Sequence, residues 1–139
     1  MADLSITAAN VVGGGSRTQY KTANAGATIT QGMPVYKIAA TGLIAPAANT
    51  SAATAYVVGI AVNAALSGQP VTYQTAGPIT IGATVAPGQL YVVSAAGAIS
   101  AVNDHTTGDY MTYLGAGVST TVIDISIHAS GVAATTDVA

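Results

Sequence analysis

Between Ile38 and Asn103 the chain runs for sixty-six residues without one Asp, Glu, Lys, Arg or His. A stretch so poor in charge must cross a membrane, fill a core or lie against other protein. A spanning helix needs about 20 apolar residues, yet the most apolar window, residues 56–62, is seven residues long and contains Gly59. The core cannot absorb it all either. A monomer of 13.5 kDa exposes on the order of 6,500 Å². Ordinary surfaces are roughly 25–35% charged, whereas this chain is 6% charged. Monomers rarely expose contiguous apolar patches beyond a few hundred Å². Much of this surface is therefore expected to be covered by protein, which makes the chain an assembly component.

Its 139 residues suit one domain. Half are apolar, which argues against general disorder, but they are small. Alanine contributes 29 residues and glycine 16, Phe and Trp are absent, and seven Tyr are the only aromatics. Such a core buries little area per residue, at roughly 25 cal/mol per Å², and contacts between subunits would offset the deficit. A homo-oligomer is expected.

Without cysteine there are no disulfides or thiolate metal sites, and the redox compartment stays open. The beginning of the chain carries Asp3 and lacks a basic region followed by an apolar stretch, so it does not read as a secretory signal. A net charge of −2 gives no reason to expect nucleic acid or a membrane surface as partner. The cations Arg17, Lys21 and Lys37 lie in the first thirty-seven residues, and four of the five acids, Asp104, Asp109, Asp124 and Asp137, follow residue 103. This polarity can steer two contacts, or one head-to-tail contact.

The fold class follows from period-two alternation. Over residues 121–128, Val122, Asp124, Ser126 and His128 alternate with Ile123, Ile125 and Ile127, the pattern of a half-buried strand. Further strands are expected at 34–39, 56–63, 70–75, 78–81, 90–94, 98–102 and 110–114, separated by Gly, Ser, Asn and Pro at hairpin spacing. Residues 45–55 are Ala-rich, but Pro46 and many small polar side chains argue for a loop. The expectation is an all-β fold, a small sandwich or barrel of short antiparallel strands. A weak internal repeat accompanies it: Tyr36, Gly42 and Ile44 recur as Tyr91, Gly97 and Ile99, and Gly32-Met-Pro-Val recurs as Gly68-Gln-Pro-Val. Each copy of the first would be a strand, a glycine turn and a return strand.

The division expected is an N-terminal arm at 1–26, a β-rich body at 27–131 and a tail at 132–139. In the arm, Leu4, Ile6 and Ala8 alternate with Ser5 and Thr7 as in a short strand, and Gly13-Gly14-Gly15 supply a hinge. The candidate contact residues are Leu4, Ile6, Arg17 and Lys21 in the arm, with Tyr36, Tyr73 and Tyr91 as interface anchors or core edge.

No enzyme site is legible. There is no Glu, so paired carboxylates for glycoside chemistry are scarce. The cluster 103–109, with Asp104, His105 and Asp109, is the only polar group able to hold a metal or move a proton. No second His or carboxylate follows at ligand spacing, and the same residue types make a hairpin loop. His128 alternates with the Ile face of its strand and should meet solvent or a neighbouring subunit. The triple glycine lacks the Gly-Lys-Ser/Thr of a phosphate loop. No catalytic, cofactor or metal residue is assigned.

Longer motifs carry a resemblance. Val58-Gly-Ile-Ala-Val-Asn-Ala-Ala-Leu-Ser-Gly-Gln-Pro-Val71 continues as Thr72-Tyr-Gln-Thr-Ala-Gly-Pro-Ile-Thr-Ile-Gly82. Pro87-Gly-Gln-Leu-Tyr-Val-Val-Ser-Ala-Ala-Gly-Ala-Ile99 is followed by Gly108-Asp-Tyr-Met-Thr-Tyr-Leu-Gly115 and a terminal strand ending Ser130-Gly131. In the order of these motifs, residues 27–132 resemble tailed-bacteriophage capsid decoration (cement) proteins. The resemblance implies a β-rich body on the outer surface of the phage head, often a trimer, with the major capsid protein as partner and no cofactor. A host- or glycan-binding fibre or spike domain is the alternative, since it too would be β-rich, oligomeric and poor in charge.

Overall fold

Residues 70–81 read as two short strands separated by Ala76-Gly77, but they form one twelve-residue strand, and the fold is built around it. The structure, a computed structural model, describes residues 4, 6–14, 18–94, 97–102 and 109–133. A 3₁₀ turn at Ala8–Asn10 leads into β1 (Val11–Gly13) and β2 (Gln19–Asn24). Next come β3 (Pro34–Lys37), β4 (Ile44–Pro46), β5 (Val57–Ala61) and the long β6 (Pro70–Ile81). The chain continues with β7 (Leu90–Val93), β8 (Ile99–Ala101), β9 (Tyr110–Gly117) and β10 (Val122–Ala133). The fold is all-β, an antiparallel sheet curled into a half-barrel.

Along the sheet the order is β4-β3-β5-β6-β10-β9-β7-β8, with β1 and β2 also paired to β6. Residues 70–76 of β6 lie between β2 and β5, while residues 77–81 lie between β10 and β1. The strand thus changes neighbours on both edges at Gly77. Gly77 has φ 92°, a value that L side chains rarely adopt and glycine adopts freely. The fully buried Gln74 spans this bend: its amide nitrogen donates to the carbonyls of Ala76 at 3.2 Å and Pro78 at 2.7 Å.

The half of the sheet holding β2, β5, β3 and β4 curls until Ala25, just past β2, bridges to Ile44 of β4. Inside lie Ala25, Ile29, Val35, Ile44, Ala61, Ala65, Val71 and Tyr73. The other half covers a larger core that includes Ile79, Ile81, Tyr91, Val93, Ile99, Leu114, Ile123 and Ile125. Branched aliphatics predominate, as suits side chains standing on a pleated surface. The repeat has a structural counterpart. Tyr36 and Tyr91 each open a hairpin, β3–β4 and β7–β8, and the hairpin glycines Gly42 and Gly97 share φ values of 74° and 73°. Each hairpin ends one side of the sheet. Gly32 and Gly68, with φ 89° and 88°, precede the prolines that start β3 and β6. Of residues 45–55, expected as a loop, Ala45 and Pro46 instead end β4, paired with Tyr36 and Val35, while 49–55 form turns.

The N-terminal region differs from the expected arm. Leu4, Ile6 and Thr7 are not in a strand, and Ala8 begins the 3₁₀ turn. This segment lies along the body rather than leaving it. The Leu4 N–H donates to the Ile99 carbonyl at 2.7 Å and the Thr7 N–H to the Gly82 carbonyl at 2.8 Å. Val11–Gly13 then pair with residues 79–81. The segment therefore runs from β8 to the end of β6 and joins the two margins of the larger half. An extended chain gains main-chain hydrogen bonds from any open edge, and one in the same molecule costs no association entropy. Residue 26 is no boundary either, because β2 is a full partner of β6 and Ala25 is fully buried. The hinge places Gly13 in β1, while Gly15 lies outside the described residues.

Candidate functional site

Two surfaces stand out, and both involve β10. The first is the outer face of β7, β9 and β10. Alternation along β9 buries Thr112 and Leu114 and exposes Tyr113, while β10 buries Ile123 and Ile125 and turns Ser126 and His128 outward. Cross-strand register aligns Leu90 with Ala116 and Ala116 with Asp124, and places Tyr113 opposite His128. Leu90, Tyr113 and Val118 are 44%, 37% and 57% exposed. With Gly115, Ala116, Asp124, Ser126 and His128 they line a shallow depression of about 340 Å³. Small residues at 115 and 116 leave the larger side chains standing as its rim.

The second surface is a cleft of about 530 Å³. Gln19 and Lys21 come to it from β2, Thr75 from β6, Tyr56, Val57 and Val58 from the start of β5, and Ile127 and His128 from β10. It exists because β10 pairs with β6 only through Ile125, after which its sole strand partner among the described residues is β9. Residues 70–76 of β6, which β10 no longer reaches, pair with β2 instead. Tyr56 stands 64% exposed at this cleft. His128 Nε2 lies 3.4 Å from Ser126 Oγ. No carboxylate lines the cleft, and Lys21 has no ion-pair partner among the described residues.

The contact residues expected from sequence are distributed differently. Lys21 is exposed and reaches the cleft. Leu4 and Ile6 are partly buried against the chain's own larger core, as is Tyr36. Tyr73 and Tyr91 are core residues rather than interface anchors, 5% and 4% exposed. Burial raises the pKa of the Tyr73 phenol above its ordinary value. The Tyr91 hydroxyl accepts a hydrogen bond from the Ala86 N–H at 2.8 Å, which ties the loop before β7 to the core. Arg17 lies outside the described residues, as do Asp104 and His105. Asp109 is described and half-buried. Among the described residues no group of three His, Asp or Glu side chains could hold a metal ion.

Sequence reasoning missed Leu90, Tyr113 and Val118 as surface residues. A signal existed for Tyr113, which sits between Thr112 and Leu114 in a period-two strand and must face away from them. None existed for Leu90, because Tyr91, Val92 and Val93 after it are all buried. Compared with known family models, curated proteins and solved structures, the chain matches none.

Proposed function

We propose that this protein is a structural component of a virus particle. In this reading it is a decoration protein that binds the outside of a tailed-phage head as a homo-oligomer, a trimer, and stabilises the lattice of the major capsid protein. The observation that carries the reading is the outer face at Leu90, Tyr113 and Val118, on a molecule with few charges to keep it apart from other protein. The surface is 6363 Å² and the chain has eight formal charges, about 800 Å² for each, far sparser than ordinary surfaces. Exposed aromatic and aliphatic side chains around a shallow depression are the usual centre of a protein interface. The resemblance of residues 27–132 to decoration proteins supplies the kind of partner.

A fibre or spike domain that binds glycans has less support. Such a site would set aromatic rings beside carboxylates, and neither Asp109 nor Asp124 lines the cleft at Tyr56. The deciding experiment images particles of the source phage with and without this protein and measures rebinding of the Leu90→Asp/Tyr113→Asp double variant. Density on the outer head surface that returns with the wild-type chain and not with the variant is the expected result. Particles that carry no such density, or that place it on the tail, would overturn the reading.

A further inference from the structure

We propose that the cleft between β2 and the outer part of β10 binds an extended, acidic peptide segment of a second protein, which adds a strand to the exposed edge and places a carboxylate at Lys21. Three observations point there. First, β10 borders the cleft through Ile127 and His128, and beyond Ile125 it pairs with β9 alone among the described residues, so its other edge is open there. On the open side of an antiparallel edge, every second residue presents an unpaired N–H and C=O, and an extended peptide satisfies them without needing a particular sequence.

Second, charge selects the occupant. The cleft holds the Lys21 ammonium and the His128 imidazole and no carboxylate, and Lys21 has no ion-pair partner among the described residues. In a chain whose only cations are three, an exposed one aimed into a cleft is a specific signal. An acidic side chain meets complementary potential there, and a basic one is repelled. Third, Tyr56, Val57, Val58 and Ile127 give the segment an apolar floor beside the charge. Side chains of an added strand alternate in direction, so one can lie on that floor while its neighbours face away. The margins at β4 and β8 are partly covered by the chain itself, through Gly26 N–H on the Ile44 carbonyl and Leu4 N–H on the Ile99 carbonyl, whereas the open edge of β10 lies beside an apolar floor and a cation.

The proposal does not depend on the capsid reading, and its test uses no particles. Two fluorescein-labelled seven-residue peptides of alternating Thr and Val, with Asp or Lys at the centre, are titrated with the full chain at about 50 mM salt, where screening is weak. The Asp peptide should bind at least about tenfold more tightly than the Lys peptide. Lys21→Met should erase that preference and Lys21→Glu should invert it, while Lys37→Glu, at the exposed end of β3, should leave it intact. On binding, amide hydrogens of β2 or of the outer part of β10 should slow their exchange. Equal binding of the two peptides, or a preference that survives Lys21→Glu, would overturn the proposal. So would an uncharged oligosaccharide that displaces the Asp peptide, which would assign the cleft to sugars. Self-association abolished by Lys21→Glu would place a second copy of this chain there instead.

Discussion

The amide nitrogen of Gln74 serves two carbonyls on either side of the Gly77 bend. Its Oε1 accepts no hydrogen bond among the described residues and faces Gly13, where an added Cβ would sit 2.7 Å away. The side chain thus lies between the bend of β6 and β1, where only glycine fits at position 13 without displacing it. Gln74→Leu keeps the volume but removes two hydrogen bonds to the carbonyls of half-buried Ala76 and Pro78, each worth about 0.5–1.5 kcal/mol. Chemical denaturation should show a loss of about 1–3 kcal/mol, and a variant as stable as wild type would remove the clamp from this account. Tyr73 allows a second test. Burial raises its folded-state pKa above the ordinary value of 10.0, so the unfolded chain ionises first. Its contribution is fully present below pH 10 and is lost as pH rises through the folded pKa. Thermal melts should therefore fall more steeply above pH 10 for the wild type than for Tyr73→Phe, and parallel curves would contradict the assignment.

At the scale of elements, the N-terminal segment changes role from the one its sequence suggests. A strand-like tip followed by glycines reads as a mobile arm, but Leu4 and Ile6 pack on the chain's own core and Val11 is 5% exposed. Deleting residues 1–15 should therefore destabilise the body itself: it uncovers one edge of β6, exposes Val11's pocket and frees the margin of β8. A drop in melting temperature of at least about 10 °C is expected, since roughly 1 kcal/mol moves a domain of this size by several degrees. An unchanged melt with weakened assembly would restore the arm. Strands were legible where short runs of β-forming residues lay between turn signals, at β3, β5, β7, β8 and β9, and where period-two alternation marked β10, although β9 and β10 run on to Gly117 and Ala133, past the ends read from sequence. Two kinds of element were not legible. β1 and β2 are exposed or short, with β2 mostly solvent-facing, so no alternation of burial is written into their side chains. The Ala76-Gly77 pair looked like a turn because the sequence signals a positive φ without saying whether the chain reverses there. Here the same backbone freedom lets one strand pass between two sets of neighbours. Lys21 stood out in the sequence by its charge, and the structure places it exposed at the cleft. The cleft itself was not legible, because it arises where strands far apart in sequence, β2, β5 and β10, diverge.

For the whole molecule, the decisive property is how little electrostatics it has to work with. The outer face at Leu90, Tyr113 and Val118 presents carbon, with Asp124 as the one carboxylate lining its depression. Assembly through this face should be driven by apolar burial, which salt does not weaken and sulfate strengthens. Exposed ion pairs are screened within about 8 Å at physiological ionic strength. The two surfaces therefore separate by their response to salt. Oligomerisation, and attachment to heads, should survive 1 M salt, whereas binding of an acidic peptide at Lys21 should fade over the same range. Light scattering at micromolar concentration should give a trimer in both low and high salt, and Leu90→Asp/Tyr113→Asp should reduce it to monomer or strip it from heads. A well-behaved monomer at low salt would contradict the assembly reading. A trimer that dissociates as salt rises would move the subunit contact from the apolar face to the charged head and tail of the chain.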